Sequence, residues 1–485
     1  MRSESRPRGG GKIDLEKKVT LKKGGKKALE EEIVEKVAEA PARVLDGTIE
    51  ISKKVEKSIV EHEPIKAVKD YWKTLGPGLT TGASDDDPSG IATYSQTGAG
   101  WGFRFLWLAA FTYPLMSNIQ EMCARIGLVT GRGLAGNIRK FFPRWILILC
   151  TLLLFIANTF NIGANLGAIS EAIRLFYPQL GYFKLIFAVV AIILLCQIFL
   201  PYRKYANYLK WLALILISYI FSTLLIDGLD WQKILFAAIT PSFSFTKDQI
   251  VIVTAILGTT ISPYLFFWQT SQEVEDGVED GITKMEPRQR EIDKKEIKKM
   301  RIDVWSGMFL SNLVMFFIIA ACAATLHAHG ITNIETAADA ALALRPLAGE
   351  YSFLLFAIGI IGTGALGIPI LAGASSYALA ESFGWRYGLH YKLRQAYAFY
   401  GVIIISIVVG ALINLIGINP IKALIYAAVL NGFVAPVVLV LILILASSAK
   451  LMGEKKNGWL ATAIGWITAG LMAFAGLATI WSLMT

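Results

Sequence analysis

Three consecutive carboxylates, Asp85-Asp86-Asp87, run directly into Pro88-Ser89-Gly90. They close a mildly apolar stretch that opens Gly76-Pro77-Gly78 and continues LTTGAS, and no Lys or Arg lies between Lys73 and Arg104. A carboxylate at the centre of a bilayer costs roughly 2.5–3.5 kcal/mol on insertion scales, so three need a partner, and a cation is the natural one. A second stretch, Gly258-Thr259-Thr260-Ile261-Ser262-Pro263-Tyr264, repeats the mixture of glycine, threonine and proline inside an apolar run. Proline removes a backbone donor and disfavours the α conformation in the residue before it. Each helix is therefore expected to break just before its proline and restart with that proline in the first turn. The breaks would free carbonyls around Ser84 to Asp86 and around Thr259 to Ile261. Unwound backbone at membrane depth is tolerated only against protein or a water-filled cavity. A matched pair of interrupted helices is the sequence pointer to a binding site in an inverted-repeat transporter. The alternative reading leaves Asp85–Asp87 in a loop at the membrane surface.

The elements that must carry these residues follow from composition. The chain has 485 residues, 54% hydrophobic and 17% charged, with a net charge of +10. The first 75 residues hold 18 of the 47 Lys and Arg and 14 of the 37 Asp and Glu. The remainder has too few charges to clothe a globule in water. Apolar runs able to span a bilayer lie near 104–124, 145–170, 182–200, 206–226, 250–272, 305–327, 352–380, 396–416, 422–447 and 459–483, after a weaker first candidate near 76–98. Connections after even-numbered spans, counted with the adjoining span ends, carry 22 Lys and Arg, and those after odd-numbered spans carry 7. The positive-inside rule then places the N-terminus in the cytoplasm, the C-terminus outside, and requires the weak first span. It makes the surface-loop reading of the aspartates the poorer one. The positive charge is an orientation signal, so nucleic acid is not an expected partner. The lipid bilayer is.

The expected organisation is a cytoplasmic polar segment over 1–75, a core over 76–447 and a further membrane helix over 448–485. Residues 25–72 have loosely helical apolar spacing and read as a solvated or membrane-surface helix. Residues 273–304, with Glu273, Glu275, Asp276, Glu279 and Asp280 followed by a basic run, read as a charged cytoplasmic connector. Nothing near the N-terminus resembles a cleavable signal. Cys123, Cys150, Cys196 and Cys322 sit in apolar stretches and are expected to be buried free thiols.

The stretch GPGLTTGASDDDPSGIATYSQTGAGWGF resembles the first span of Nramp divalent-metal transporters, whose motif there is Asp-Pro-Gly-Asn. Span 6 resembles that family's Met-Pro-His span. EMCARIGLVTGRGLA (121–135) and GTGALGIPILAGASSYALAESFGW (362–385) resemble its spans 2 and 8. The resemblance covers roughly residues 70–450. It implies an all-α integral membrane fold of the LeuT type, a five-plus-five inverted repeat over about 76–226 and 250–447, with helices 1 and 6 unwound at the middle. It puts Asp87 in place of the metal-binding aspartate. The departures are informative: the family's asparagine is Gly90, its methionine is Ser262 and its histidine is Tyr264. In span 3, where the family carries acids linked to proton movement, Asn161 and Ala164 stand.

Hard oxygen ligands suit magnesium, calcium and manganese, whereas thioethers select softer ions. Magnesium keeps several waters and binds through one or two carboxylates. Asp86 and Asp87, small neighbours Ser89, Gly90 and Ser262, and carbonyls such as that of Thr259 are expected to leave room for a partly hydrated ion. Asn431, before a glycine and Pro436 in span 10, faces the family's metal-site region and is a further oxygen candidate. The set resembles the Nramp-related magnesium transporter branch, which implies import of Mg2+ and Mn2+ as cargo, with no resident cofactor. Loss of the histidine and of the span-3 acids removes the groups that titrate near neutral pH, so passive transport is expected. A monomer is the expected state.

Other polar residues have plainer readings. Glu121 and Arg125 stand i,i+4 and are expected to pair. Glu171 beside Arg174 reads as an outer vestibule or a local ion pair. Glu381 reads as an interfacial anchor near Arg386. His327 and His329, two apart in an external connection, are weak as a metal site. A sodium-coupled transporter of organic solutes would share the repeat logic, but clustered acids oppose a carboxylate substrate. A proton-coupled Mn2+ transporter of the Nramp type and a non-transporting ion sensor are the other readings. No triad, histidine set or phosphate loop supports an enzyme.

Overall fold

The computed structural model describes residues 75–200, 217–226, 228–279, 292–335, 337–342 and 352–484, with Tyr71. The expected helix at 25–72 and most of span 5 lie outside these residues. The described residues form helices and no strand: α1 (Pro77–Asp85), α2 (Pro88–Trp101), α3 (Trp107–Thr130), α4 (Leu134–Phe141), α5 (Arg144–Arg174), α6 (Tyr182–Phe199), α7 (Ile217–Leu224), α8 (Trp231–Ile239), α9 (Lys247–Thr260), α10 (Pro263–Glu279), α11 (Lys294–Thr325), α12 (Ala337–Leu342), α13 (Ser352–Phe383), α14 (Tyr397–Ile413), α15 (Pro420–Ser447), α16 (Ala449–Met452) and α17 (Trp459–Met484).

Eight described helical stretches are long and apolar enough to cross a membrane. They are the expected spans 3 and 4, Arg144–Arg174 and Tyr182–Phe199, and the six spans from 6 to 11. Three expected spans do not qualify, each for a visible reason. Span 1 is split into α1 and α2. Span 2, α3, carries the buried polar residues Ser117, Asn118, Gln120, Glu121 and Arg125. Span 5 is described only from residue 217.

The membrane character shows in the side chains turned outward. On α6 Phe187, Ile192, Leu195 and Phe199 are exposed, and on α17 Trp459, Phe474, Leu477 and Trp481 are exposed. A water-soluble protein does not present such continuous apolar faces. Cys196, also on α6, is exposed, which corrects the expected burial, while Cys123, Cys150 and Cys322 are buried. The residue lies on an outward helix with little cover, so its apolar context was lipid-facing rather than core.

Both interruptions fall where the prolines dictate. α1 ends at Asp85, Asp86 has left the helical region, and Asp87 caps α2, whose first residue is Pro88. α9 ends at Thr260, Ile261 is non-helical, and α10 begins at Pro263. The first broken span rests on α11 through glycines at close range. A Cβ on Gly82 would lie 2.2 Å from the Gly307 carbonyl oxygen, and one on Gly307 2.1 Å from that of Gly78. Backbones this close need glycine on both sides.

The connector at 273–304 corrects the sequence reading. α10 continues helically to Glu279 and α11 starts at Lys294, so only its middle lies between helices, and Asp280 is outside the described residues. Glu275 is buried, accepting from Tyr377 Oη at 2.5 Å, Leu389 N at 2.8 Å and His390 Nδ1 at 2.5 Å. A charge run reads as solvated, but these three donors satisfy one of its members inside the protein.

Candidate metal site

The three aspartates share one turn of backbone and have three different surroundings. All are fully buried. Asp87 is the cap of α2: its Oδ1 accepts from Ser89 N at 2.9 Å, Ser89 Oγ at 2.6 Å and Gly90 N at 3.1 Å. Its Oδ2 accepts from Asn161 Nδ2 at 3.2 Å and Asn165 Nδ2 at 2.9 Å, both on α5. Five donors fill the roughly four lone-pair positions of a carboxylate. Asp85 directs Oδ2 to Ser311 Oγ on α11 at 2.7 Å and leaves Oδ1 without a partner. Asp86 has no hydrogen bond to either oxygen. Buried polar atoms without partners are rare, and an anionic pair is the most expensive kind.

Other buried polar atoms without a partner lie on the helices that meet at the breaks. Ser84 Oγ, one turn from Asp87, has no partner, and neither do Asn431 Oδ1 and Nδ2. Asn431 lies on α15, which packs on both α9 and α2. Gly258 of α9 meets that helix closely, since a Cβ there would lie 2.6 Å from Gly432 N. Asn431 is thus one residue from the contact between the second break and span 10.

The second break is tied to the first. Tyr264 Oη donates to the Ser84 carbonyl at 2.7 Å, so this side chain bridges the two interruptions. Tyr94 Oη and Thr260 Oγ1 lie 3.3 Å apart, a second bridge. Ser262 Oγ donates to the carbonyls of Thr259 at 2.6 Å and Gly258 at 2.7 Å. Two expected ligands, Ser262 and Thr259, are therefore hydrogen-bonded to each other and keep only their remaining lone pairs for an ion. Thr260 Oγ1 also approaches the Met315 sulfur at 4.0 Å.

The expected free room at Gly90 is corrected by the structure. A Cβ there would lie 2.7 Å from the Asp85 carbonyl oxygen and 3.4 Å from Thr259 Oγ1. The space left by a missing side chain is filled by the ascending end of α1, and the residue's role here is to permit that approach.

Among the described residues no three Asp, Glu, His or Cys side chains form a group that could hold a metal ion. The geometry explains this. Asp85 turns to α11 and Asp87 to α5, which leaves Asp86 as the one carboxylate of the three with both oxygens uncommitted. A site built here would use Asp86 with neutral oxygens, a donor set that fits a cation retaining several of its waters. Thr259, Ser262 and Asn431 are all buried, so access to this cluster from water requires helices to move.

Sequence reasoning missed three partners. Asn165 and Asn158 share the polar face of α5 with Asn161; Asn158 donates to the Leu371 carbonyl at 3.1 Å and Ser375 Oγ at 2.9 Å. Their i, i+3, i+7 spacing in an apolar span was the available signal. Asp303 on α11 accepts from Gly76 N at 2.7 Å, Gly78 N at 2.7 Å and Leu79 N at 3.2 Å. It satisfies the free N–H groups that begin α1, which has no side-chain cap of its own.

The remaining polar residues are structural. Glu121 lies 3.7 Å from Arg125 and 2.8 Å from Arg301, and accepts from Trp305 Nε1 at 2.7 Å. Arg125 also bonds Asn457. Glu171 and Arg174 lie 3.5 Å apart, the local-pair reading. His327 and His329 bond separately to the carbonyls of Ala99 and Thr325. Glu381 is not an exposed anchor: it is buried and accepts from Gly136 N of α4 at 2.8 Å.

Two broken helices, with buried carboxylates at the first break, already narrow the choice of families. The family profile described as natural resistance-associated macrophage protein-like, Nramp, matches residues 78–482. The chain belongs to the Nramp family. Nramp proteins are transporters and not enzymes. Among its curated Nramp relatives, the divalent metal cation transporter MntH of Caldanaerobacter subterraneus subsp. tengcongensis is 24% identical over 414 residues, covering 84% of this chain and 92% of the relative. The protein of that name from Klebsiella pneumoniae subsp. pneumoniae is 24% identical over 440 residues, covering 88% and 98%. A solved manganese transporter of Eremococcus coleocola superposes with a TM-score of 0.68 at 18% identity, covering 85% of this chain and 87% of that one. The shared architecture is the LeuT-type inverted repeat with helices 1 and 6 unwound.

Proposed function

We propose that this chain imports Mg2+ and Mn2+ as partly hydrated ions by alternating access, without a coupled proton. The relatives are named divalent metal cation transporters and the structural neighbour a manganese transporter, which supports a divalent cation as cargo. The observation that carries the finer reading is Asp86. Its two oxygens are buried and unbonded at the junction of α1 and α2. The proposed ion site comprises Asp86 with oxygens from Thr259, Ser262 and Asn431. Asp87 and Gly90 hold the break in shape, and Asp87 acts on the ion through its charge.

Selectivity follows from the ligand chemistry. Ser262 offers a hydroxyl where the family's motif has a thioether, so the advantage of soft ions is lost. Asn161 and Asn165 present amides to Asp87, and amides do not titrate near neutral pH. Span 3 therefore supplies no proton carrier beside the aspartate. The protein in proteoliposomes is expected to pass Mg2+ and Mn2+ with no accompanying acidification of the lumen. Proton uptake that scales with metal flux would support instead a proton-coupled manganese transporter. Amino-acid flux with no metal flux would support an organic-solute transporter. The plasma membrane, with the N-terminus cytoplasmic and the C-terminus outside, is the proposed location.

A further inference from the structure

We infer that the basic cavity between α4 and the end of α13 holds the phosphate-bearing headgroup of an anionic phospholipid. The cavity has a volume of 470 Å³, within the usual range for small-molecule sites. Arg132, Arg139 and Lys140 line one side, and Glu381, Trp385 and Tyr387 the other. Three cations thus face one carboxylate, and that carboxylate is engaged by the backbone of α4 through Gly136 N at 2.8 Å. Among the described residues none of the three cations is ion-paired. Arg139 is anchored by donating from Nη1 to the Glu381 carbonyl at 3.3 Å, which leaves most of its donor fork uncommitted. Planar guanidinium forks match phosphate oxygens, and Lys adds a point charge.

The aromatic surroundings separate a lipid from a free anion. Phe383 and Trp385 stack with centroids 4.9 Å apart and planes 18° apart; both are exposed, and Trp385 lines the cavity. Trp145, at the start of α5 just beyond α4, is exposed as well. Exposed Trp and Phe beside a basic pocket at the ends of membrane helices mark headgroup depth. The cavity lies on the side that the charge alternation assigns to the cytoplasm, where anionic lipids attract basic segments. Soluble phosphate would use the same cations but draws nothing from the aromatic rim.

Native mass spectrometry of the full-length protein in neutral detergent, with melting temperatures alongside, tests the assignment. Phosphatidylglycerol is expected to bind and to raise the melting temperature, with phosphatidylcholine and inorganic phosphate doing neither at the same concentration. Each lost cation should weaken phosphatidylglycerol binding about fivefold, and R132Q/K140Q about 25-fold. R132K/K140R, which keeps both charges, should bind more tightly than R132Q/K140Q; binding no tighter than that of R132Q/K140Q would overturn the role given to the charges. Should the double variant fail to fold, K140Q alone, at an exposed position, carries the test at about fivefold. Unchanged binding in K140Q or in R132Q/K140Q overturns the inference. Equal binding of phosphatidylcholine also overturns it, and equal stabilisation by inorganic phosphate overturns the lipid in favour of a soluble anion.

Discussion

Asp86 and Asp87 are neighbours with opposite expected responses to the same substitution. Asp86 is a buried carboxylate with no hydrogen bond, so Asp86→Asn removes an uncompensated charge from the ion-free protein. Its melting temperature without metal should stay level or rise, while Mg2+ flux falls by on the order of 100-fold or more. Asp87 accepts five donors, and an amide turns two of its own donors against them. Asp87→Asn should destabilise by about 1–3 kcal/mol and lose flux as a consequence. Thermal melts of both variants beside their flux separate the two roles; parallel changes would contradict them. At the second break, Ser262→Met should shift preference from Mg2+ towards softer ions such as Cd2+ in competition assays. The aspartates, Ser262 and Gly90 were legible because proline and clustered acids are conspicuous in an apolar run. The division of labour among the acids was not, since it depends on Ser311, Asn161 and Asn165 arriving from other spans. Gly90 was read as space because a sequence shows a missing side chain and not the Asp85 carbonyl that fills its place.

At the scale of elements, both breaks were readable to within a residue from Pro88 and Pro263, because proline acts locally. What joins the breaks was not, because the Tyr264 bond to Ser84 spans 180 positions. The same holds for Asp303, which fastens the start of α1 to α11. Three charge-assisted bonds to one helix end give α1 a fixed anchor, and glycines at 78, 82 and 307 keep it close. Ion release from a buried site requires such a helix to move, so this anchor opposes opening at that end. Asp303→Ala should lower stability by about 2–3 kcal/mol and raise the reactivity of a cysteine placed at Gly76 towards aqueous thiol reagents. Unchanged reactivity in that variant would show that α1 is held by packing alone.

Across the whole molecule, the order of spans was legible from hydropathy and from the alternation of Lys and Arg. The closures between connections were not, because they pair residues far apart in sequence. The clearest is at the connection after α13, where His390 lies 2.5 Å from Glu275 of α10. Burial lowers the imidazole's affinity for protons, but the Glu275 hydrogen bond and charge outweigh it, and His390 titrates above its ordinary value of 6.5. A raised folded-state pKa stabilises fully below the unfolded value and is lost as pH rises through the folded one. The melting-temperature difference between the native protein and H390Q should therefore be largest below about pH 6.5 and shrink as pH rises. A difference that grows with pH would exclude this contact as its source. The proposed transport cycle turns on a hard cation moving alone past Asp86. Its most direct test is paired measurement of Mg2+ entry and lumenal pH in proteoliposomes of the native protein and D86N. The expected result is Mg2+ entry with a steady lumenal pH in the native protein and none in D86N; full entry in D86N, or acidification in step with native flux, would contradict it.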